Sequence, residues 1–395
     1  MTEDETMSYC FDQLKDRRNS GCTKWNVKEN ELPMSMADMD FETAPEIKKV
    51  FADRIEHGVF GYADLPDTWY DAYIDWWAAR HQFNIQRDWL IYSAGVIPTI
   101  SSVIRKLTTP AEKVAVLTPS YNIFYNSILN NGRVVAECPL CCHEGTYDID
   151  FALLEETLSD PQVSILVLCN PHNPVGKIWG RDTLLQITAL CRKYGVLVLS
   201  DEIHCDLTDP GKEYIPYASI SPDAAQISIT CVSPTKAFNL AGIQSSAVIV
   251  PNPVLRHRVW RGLNTDEVGE ASILGAITPN AAFGQGGAWL DALRQYVFEN
   301  KSYVRDYVAR QVKEVRITPS EATYLLWLDC RAVSEHSTPL AGFLKENTGL
   351  ILIDGAGYGQ GGDGFLRINL ACPRCTAEDG MERFVRGVWA FLEQK

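Results

Sequence analysis

The stretch SPTKAFN (residues 233–239) follows the apolar, β-branched run ISITCV (residues 227–232), which is typical of a buried strand. Lys236 therefore stands at the mouth of a strand, although lysine is rarely buried without a partner. Desolvation lowers the pKa of an amine, and a neutral amine can form a Schiff base with a carbonyl. A lysine that extends its charged end to solvent would explain the same pattern. The neighbouring strands decide between these two interpretations.

On both sides of this stretch, short apolar strands alternate with helices between about residues 90 and 250. The predicted strands are 88–92, 114–117, 133–137, 163–168, 196–200, 227–232 and 245–250. The predicted helices are 96–107, 121–131, 150–158 and 181–194. Such alternation predicts an α/β fold in which a mostly parallel sheet carries helices on both faces.

Small, polar or charged residues collect where five of these strands end. The five segments are SAGVI (93–97), TPSY (118–121), NPHNPVG (170–176), DEIH (201–204) and SPTK (233–236). In sheets of this kind, ligands bind beyond the carboxyl ends of the strands, so we expect the five segments to form one composite site. This convergence favours a functional role for Lys236.

Beyond residue 255 the pattern becomes helical and predicts a second, smaller α+β domain. Helices are predicted at 255–262, 268–284, 286–313 and 377–393, and two more precede the sheet at 45–57 and 67–81. Two strand-like pieces, 322–329 and 364–370, flank a glycine-rich loop. The predicted organisation is an N-terminal arm with part of the small domain (1–45), a large domain (46–285) and a small C-terminal domain (286–395).

The composition argues against several classes of protein. The formal net charge of −14 over 395 residues disfavours a nucleic-acid phosphate binder, which would usually be basic. No apolar run approaches the length of a membrane span, and the acidic start, Met1 to Glu5, lacks the apolar region of a secretory signal. We therefore expect a cytoplasmic protein that binds neither nucleic acid nor membrane.

The twelve cysteines and seven histidines indicate neither a disulfide framework nor a metal site. Cys169, Cys231 and Cys330 lie inside strand-like runs and are expected to be reduced core residues. The motif CPRC at 372–375 is interpreted as structural or incidental. No bound metal is expected.

Several strand-end residues suit a phosphate that lies beside an aldehyde. The motif SAG (93–95) precedes a helix, and its small side chains let backbone N–H groups approach an anion at the positive helix end. Ser233 and Thr235 add hydroxyl groups near Lys236. A simple capped helix would explain the SAG motif equally well.

Four further side chains each have a functional and a structural interpretation. Asp201 could keep a pyridine nitrogen protonated, or it could cap a helix or lie in solvent. Tyr121 could stack on a flat ring or pack in the core. Asn173 could bind a ring hydroxyl or a carboxylate, or it could form an Asn-Pro turn. Arg367, in an otherwise apolar strand, could grip a carboxylate or form a structural salt bridge.

Four longer motifs occur in order along the chain: NPHNPVG (170–176), SDEIH (200–204), SPTKAFNLAG (233–242) and RINLACPR (367–374). With these motifs the chain resembles fold-type I pyridoxal-phosphate (PLP) enzymes of the aminotransferase class I/II superfamily. The segments ADMDF (37–41), FGY (60–62) and AWLDAL (288–293) make it similar to the MalY/PatB group of cystathionine β-lyases. The resemblance implies PLP as cofactor, a large PLP-binding domain with a mixed, mostly parallel seven-stranded sheet, and a smaller α+β domain.

The resemblance also implies roles for individual residues. Lys236 would hold the cofactor and move the Cα proton of the substrate, and Asp201 would pair with the pyridine nitrogen. The implied cofactor-binding residues are Lys236, Asp201, Tyr121, Asn173, His204, Gly95, Val96, Ile97, Ser233 and, from the neighbouring subunit, Tyr62. The implied substrate-binding residues are Arg367, Asn173, Ala37 and Tyr121. A site shared in this way implies a homodimer.

The implied activity is that of a PLP-dependent carbon–sulfur β-lyase, which eliminates a thiol from an amino-acid substrate and yields pyruvate and ammonia. Two alternatives stay open: an aminotransferase of an L-amino acid, and a non-catalytic regulator that keeps the fold. His204 stands where many aminotransferases have a tyrosine, which favours the lyase. The chain departs from the group at Ser35 and Met36, where a tryptophan and a small apolar residue are usual, so we expect a reshaped substrate pocket.

Overall fold

The computed structural model describes residues 9–394, so the acidic start lies outside the described residues. The strands are β1 (Leu32–Pro33), β2 (Leu90–Ser93), β3 (Lys113–Thr118), β4 (Val134–Pro139), β5 (Cys141–His143), β6 (Thr146–Asp148), β7 (Val163–Cys169), β8 (Leu197–Asp201), β9 (Ser228–Val232), β10 (Ser246–Ile249), β11 (Arg316–Ile317), β12 (Leu325–Asp329), β13 (Leu350–Ile351), β14 (Ile353–Asp354) and β15 (Phe365–Asn369). The helices are α1 (Pro45–His57), α2 (Asp67–His81), α3 (Val96–Leu107), α4 (Ile123–Leu129), α5 (Phe151–Ser159), α6 (Arg181–Tyr194), α7 (Pro222–Ile227), α8 (Pro234–Ala237), α9 (Pro253–Thr265), α10 (Ile273–Gln285), α11 (Gly287–Gln311), α12 (Ser337–Thr348) and α13 (Arg374–Leu392). Within the described range, no helix is both long enough and apolar enough to cross a membrane.

A seven-stranded sheet with the order β2-β10-β9-β8-β7-β3-β4 forms the centre of the molecule. Strand β10 runs antiparallel to β2 and to β9, and the other neighbours pair in parallel. The prediction of a mixed, mostly parallel seven-stranded sheet is therefore confirmed. Each of the seven predicted strands is present, and its ends lie within two residues of the predicted ones.

Alternation along the strands divides their side chains between two apolar layers. In β3, Ala115 and Leu117 pack in the layer that contains α5 and α6, whereas Val114 and Val116 pack in the layer that contains α3 and α9. Because both faces of the sheet are covered by helices, its central strands are apolar and almost completely buried. The predicted residues Tyr121, Asp201 and Lys236 stand at or just beyond the ends of these strands.

A second sheet, antiparallel and ordered β11-β12-β15-β14, packs in a further apolar layer with α11, α12 and α13. Leu32 of β1 pairs with Leu350 of β13, so the N-terminal segment joins this part of the chain. The division of the chain into 1–45, 46–285 and 286–395 stays a prediction.

The predictions for the C-terminal half need three corrections. Helix α12 and the strands β13 and β14 occupy much of the region predicted as a glycine-rich loop between two strands. Strand β12 begins at Leu325 rather than at residue 322, because Thr323 has a φ of 68° and interrupts the extended backbone. Helix α10 begins at Ile273 rather than at residue 268, after Ser272 caps it by accepting the N–H of Gly275.

One buried ion pair joins α11 to the segment that follows β8. Lys301 Nζ lies 2.5 Å from Asp209 Oδ1, and both side chains are buried. The same amine donates to the carbonyl of Thr323 at 3.2 Å and to that of Ala322 at 3.4 Å. Burial lowers the pKa of Lys301 to about 8, and the Asp209 carboxylate opposes that shift. The pair therefore links the large sheet to the approach to β12.

We expect Lys301→Met to lower the free energy of unfolding by about 3–5 kcal/mol, because it leaves the Asp209 carboxylate buried without a counter-charge. Urea unfolding of the cofactor-loaded protein, followed by tryptophan fluorescence, measures this change. The matched control is Lys193→Met, which removes an exposed pair with Glu155 and should change the stability little. A K301M protein as stable as the control would show that the buried pair contributes nothing net.

Candidate active site

Four of the predicted site residues, Lys236, Tyr121, Arg367 and Ala37, line one cavity at the carboxyl edge of the seven-stranded sheet. Lys236 lies in α8, directly after β9, and Asp201 ends β8. Tyr121 follows β3, and Arg367 reaches the same cavity from β15 of the second sheet. The cavity has a volume of about 700 Å³. It therefore lies where the two sheets and the N-terminal segment meet.

Lys236 lines the cavity with a partly buried side chain. Its Nζ donates a hydrogen bond to the backbone carbonyl of Ala37. Burial lowers the pKa of Lys236 to about 8, the charge of Arg367 acts in the same direction, and Asp38 and Asp201 oppose the shift. Such an amine is available in its neutral, nucleophilic form near physiological pH. The interpretation of Lys236 as a solvated surface residue is wrong.

Asp201 is buried, and it neither caps a helix nor lies in solvent. Its Oδ1 accepts the backbone N–H of Ile203 at 3.1 Å. Burial raises the pKa of Asp201 to about 6, whereas this hydrogen bond and the charge of Lys236 lower it. A buried carboxylate in this position would be stabilised as an anion by a cation placed against it.

Arg367 is a buried cation whose hydrogen bonds are incomplete. One terminal nitrogen donates to Asn173 Oδ1 at 3.0 Å, and the other donates to the carbonyl of Ser35 at 3.1 Å. Its Nε has no partner, although the residue is only 3% exposed. Over residues 9–394, no carboxylate forms an ion pair with Arg367, so the salt-bridge alternative is wrong. A buried guanidinium without a counter-charge favours binding of an anionic ligand.

The loop at residues 35–41 is held by the residues on which the site depends. Lys236 and Tyr324 both donate to the carbonyl of Ala37, the tyrosine at 2.9 Å. Asn369 Nδ2 donates to the carbonyls of Met36 and Asp38, each at 2.6 Å. The backbone of the loop is therefore a rigid wall of the cavity.

Two cations of the N-terminal segment, Arg17 and Lys24, pair with carboxylates of this wall. Arg17 contacts Asp38 at 2.8 Å and Asp40 at 2.6 Å, and Lys24 contacts Asp40 at 2.8 Å. Hydrogen bonds from Arg17 to both carboxylates outweigh its burial and raise the pKa of the guanidinium. Sequence analysis missed this cluster, and it also missed Tyr324, because none of these residues stands at a strand end of the large sheet.

The residues predicted to bind phosphate are those at the start of α3 and Ser233, whose hydroxyl already has hydrogen-bond partners. No side chain caps α3, which begins at Val96 and Ile97, so the N–H groups of its first turn are available to an anion. A Cβ on Gly95 would lie 3.1 Å from Cδ of Pro98, which explains the small residue there. Ser233 caps α8 and donates to the carbonyl of Ser245 at 2.6 Å, so its role toward phosphate stays a prediction.

His204 and Tyr62 have contrasting environments. His204 is buried, its Nδ1 has no partner, and burial lowers its pKa to about 3, aided by the charges of Lys236 and Arg367. A neutral imidazole is therefore available beside the cavity. The structure does not bring Tyr62 to the cavity of its own chain, because its side chain is fully exposed.

Away from the cavity, His81, Cys205 and Asp206 place metal-ligand atoms within 4.8 Å of one another, a juxtaposition that residue spacing did not reveal. His81 Nε2 and Trp76 Nε1 both contact Asp206 Oδ1 at 2.9 Å. These hydrogen bonds already satisfy the carboxylate oxygen, so the cluster has a structural explanation.

Residues 29–385 match the family described as Aminotransferase class I and II. The chain belongs to this family. Cystathionine beta-lyase PatB of Bacillus subtilis is 37% identical over 379 residues, which cover 94% of this chain and 98% of PatB. Protein MalY of Escherichia coli is 33% identical, over 96% of this chain and 99% of MalY.

Cystalysin from Treponema denticola, a structure described as containing a pyridoxal 5'-phosphate cofactor, matches with a TM-score of 0.94 and 33% identity. The match covers 97% of this chain and all of the cystalysin chain. The predicted fold type and the resemblance to the MalY/PatB group are confirmed.

Lys236 of the cofactor-free protein should react with acetic anhydride with a pH midpoint near 8, because burial lowers its pKa. Competitive labelling, read by mass spectrometry of the peptide that contains the residue, measures this midpoint. Lys193 is the internal control, since its hydrogen bond to Glu155 raises its pKa over the usual lysine value. A midpoint for Lys236 at or above that of Lys193 would contradict the desolvated amine.

Proposed function

We propose that the chain is a PLP-dependent carbon–sulfur β-lyase that releases a thiol, pyruvate and ammonia from an L-cysteine thioether. The observation that carries the proposal is that Lys236 and the incompletely bonded Arg367 line one cavity, with the buried carboxylate of Asp201 close enough for its charge to act on Lys236. The names of PatB, a cystathionine beta-lyase, and of cystalysin, a PLP protein, support it.

The donor set of the cavity fits PLP. Lys236 would bind the aldehyde carbon, and the buried carboxylate of Asp201 would hold the ring nitrogen in its protonated form. The uncapped start of α3 would bind the phosphate, and the unpartnered Nδ1 of His204 lies in the same buried region. Tyr121, which lines the cavity, would stack on the ring. When bound, PLP supplies an electron sink for a carbanion at the substrate Cα.

Substrate binding and proton transfer are assigned to side chains of the protein. Arg367, with the fork oriented by Asn173 and Ser35, binds the substrate carboxylate and orients Cα. Lys236 Nζ removes the proton from Cα, since its lowered pKa gives it a neutral form near physiological pH. The C–S bond at the β-carbon then breaks, and the sulfur accepts a proton from Lys236 and leaves as a thiol. Water hydrolyses the remaining fragment to pyruvate and ammonia.

The exposed apolar segment that carries Tyr62 supports a homodimer. Val59 and Phe60 are 60% and 58% exposed, and Tyr62 is completely exposed. Large apolar side chains exposed in one segment favour a protein interface. In a dimer this segment would place Tyr62 near the phosphate-binding residues of the neighbouring site.

The cysteines bear on the cellular location. The twelve cysteines, none in a disulfide, favour the reducing environment of the cytoplasm.

An aminotransferase is the second candidate, because the family description names that activity. Purified protein is incubated with L-cystathionine, and pyruvate and thiol are measured without an added keto acid. Release of both supports the lyase, whereas strict dependence on a keto acid would replace it with the aminotransferase. A protein that binds PLP but neither releases thiol nor transfers an amino group would be a non-catalytic regulator.

Lys236→Ala should lower kcat for thiol release by at least about 10³-fold, because it removes the proton-transfer group at Cα. Single-turnover release of thiol from cofactor-loaded protein measures the loss. Lys212→Ala, which removes an exposed lysine paired with Glu321, is the control and should keep the rate. Retention of the rate by K236A would exclude Lys236 as the base.

Arg367→Leu should raise KM for the amino-acid substrate by about 10²-fold, since it removes a charge-assisted contact with the carboxylate. Cofactor absorbance should persist, because Arg367 is assigned to the substrate. Steady-state kinetics and a cofactor titration measure the two effects. An unchanged KM would place the substrate carboxylate elsewhere.

A further inference from the structure

Ser35 and Met36 are the residues through which the loop wall can change the shape of the cavity. The backbone here is fixed by Arg367, which binds the Ser35 carbonyl at 3.1 Å, and by Asn369, which binds the Met36 carbonyl at 2.6 Å. The next carbonyl, that of Ala37, accepts from Lys236. Movement of this backbone would disturb the residues that perform the reaction, so the room available to a substrate is set by side chains.

These two side chains leave room for a large group on the substrate sulfur. With the carboxylate at Arg367 and Cα at Lys236, the sulfur substituent faces the rest of the cavity. Ser35 is small, and Met36 is unbranched, adaptable and 40% exposed. Ile123 and Ile353 add apolar surface to the same lining. The cavity of about 700 Å³ has to hold PLP as well as the substrate, so the small Ser35 and the adaptable Met36 decide how much of it is left for the substituent.

The charges on this lining do not suit a substituent that carries its own charges. Arg17 lies 2.8 Å from Asp38 and 2.6 Å from Asp40, so its charge is already compensated. In the described part of the lining, Arg367 and Lys236 are the remaining cations, and both are assigned to the reacting end. A distal carboxylate would lose water without gaining a partner, and a distal ammonium would compete with Arg17 for Asp38.

We propose that Ser35 and Met36 select L-cysteine thioethers with a bulky, uncharged alkyl or aralkyl group on sulfur over thioethers that carry a second amino-acid group. This inference rests on the proposed lyase function and names its substrate class. The side chains at positions 35 and 36 are specificity-determining residues that contact the leaving group.

The experiment compares kcat/KM for S-butyl-L-cysteine, S-methyl-L-cysteine and L-cystathionine. S-butyl-L-cysteine and L-cystathionine share a similar chain on sulfur, and only cystathionine carries the distal charges. We expect S-butyl-L-cysteine to exceed each of the others by at least about tenfold, the discrimination that a few methylene groups or an unpaired charge supplies. Cystathionine equal to or better than S-butyl-L-cysteine would overturn the proposal.

Ser35→Trp and Met36→Trp test the two positions. Each should lower the ratio of kcat/KM for S-butyl- over S-methyl-L-cysteine by at least about tenfold, because the larger side chain fills the space of the substituent. Ser35→Ala is the size-matched control and should leave that ratio within about twofold. The ratio is internal to each preparation, so partial loss of folded protein does not affect it.

Ratios that stay at the wild-type value in both tryptophan variants would overturn the role of this wall. If the proposed lyase function were wrong, the wild type would release no thiol from any of the three substrates. Thiol release from all three at equal kcat/KM would keep the lyase and reject the specificity.

Discussion

The burial of one amine, that of Lys236, is the constraint on which the rest of the site depends. Desolvation disfavours its charged form, Arg367 adds to that effect, and Asp38 and Asp201 oppose it. The balance leaves an amine that can carry a charge or lose it near physiological pH. Each of the opposing charges comes from a different part of the chain, so the balance exists only in the folded protein.

The carbonyl of Ala37 connects this amine to the remainder of the fold. It accepts hydrogen bonds from Lys236, which lies in α8 after β9 of the large sheet, and from Tyr324 at the approach to the second sheet. The loop that carries it is anchored by Arg17 and Lys24 of the N-terminal segment. One rigid loop therefore sets the position of the lysine, the orientation of Arg367 and the wall that faces the substrate sulfur. The backbone of this loop is held by the residues assigned to the reaction, whereas the side chains of Ser35 and Met36 face the cavity.

Much of the fold could be predicted from local pattern. The strands of the large sheet are short apolar runs between turn residues, and helices such as α1, α2, α3 and α6 were predicted with their observed ends. The errors lie where tertiary contacts override pattern. Helix α12 is mixed in composition and is defined by its packing in the second apolar layer, and Thr323 interrupts a run that reads as continuous strand. In the site, the position of polar residues at strand ends predicted Lys236, Asp201, Tyr121 and Asn173. The same criterion could not predict Tyr324, or Arg17 and Lys24 with their carboxylate partners.

The sequence alone determined the alternation of strands and helices, the edge of the sheet at which a ligand binds, and the lysine at its centre. These follow from apolar periodicity and from the position of polar residues at strand ends, both of which are local properties of the chain. Only the tertiary structure decided that Arg367 lacks a counter-charge and that the Ala37 loop joins three parts of the chain. It also decided that the hydroxyl of Ser233 caps α8 and donates to the carbonyl of Ser245. Hydrogen bonds and charge balance of this kind depend on distances between residues far apart in sequence, and no local pattern encodes them.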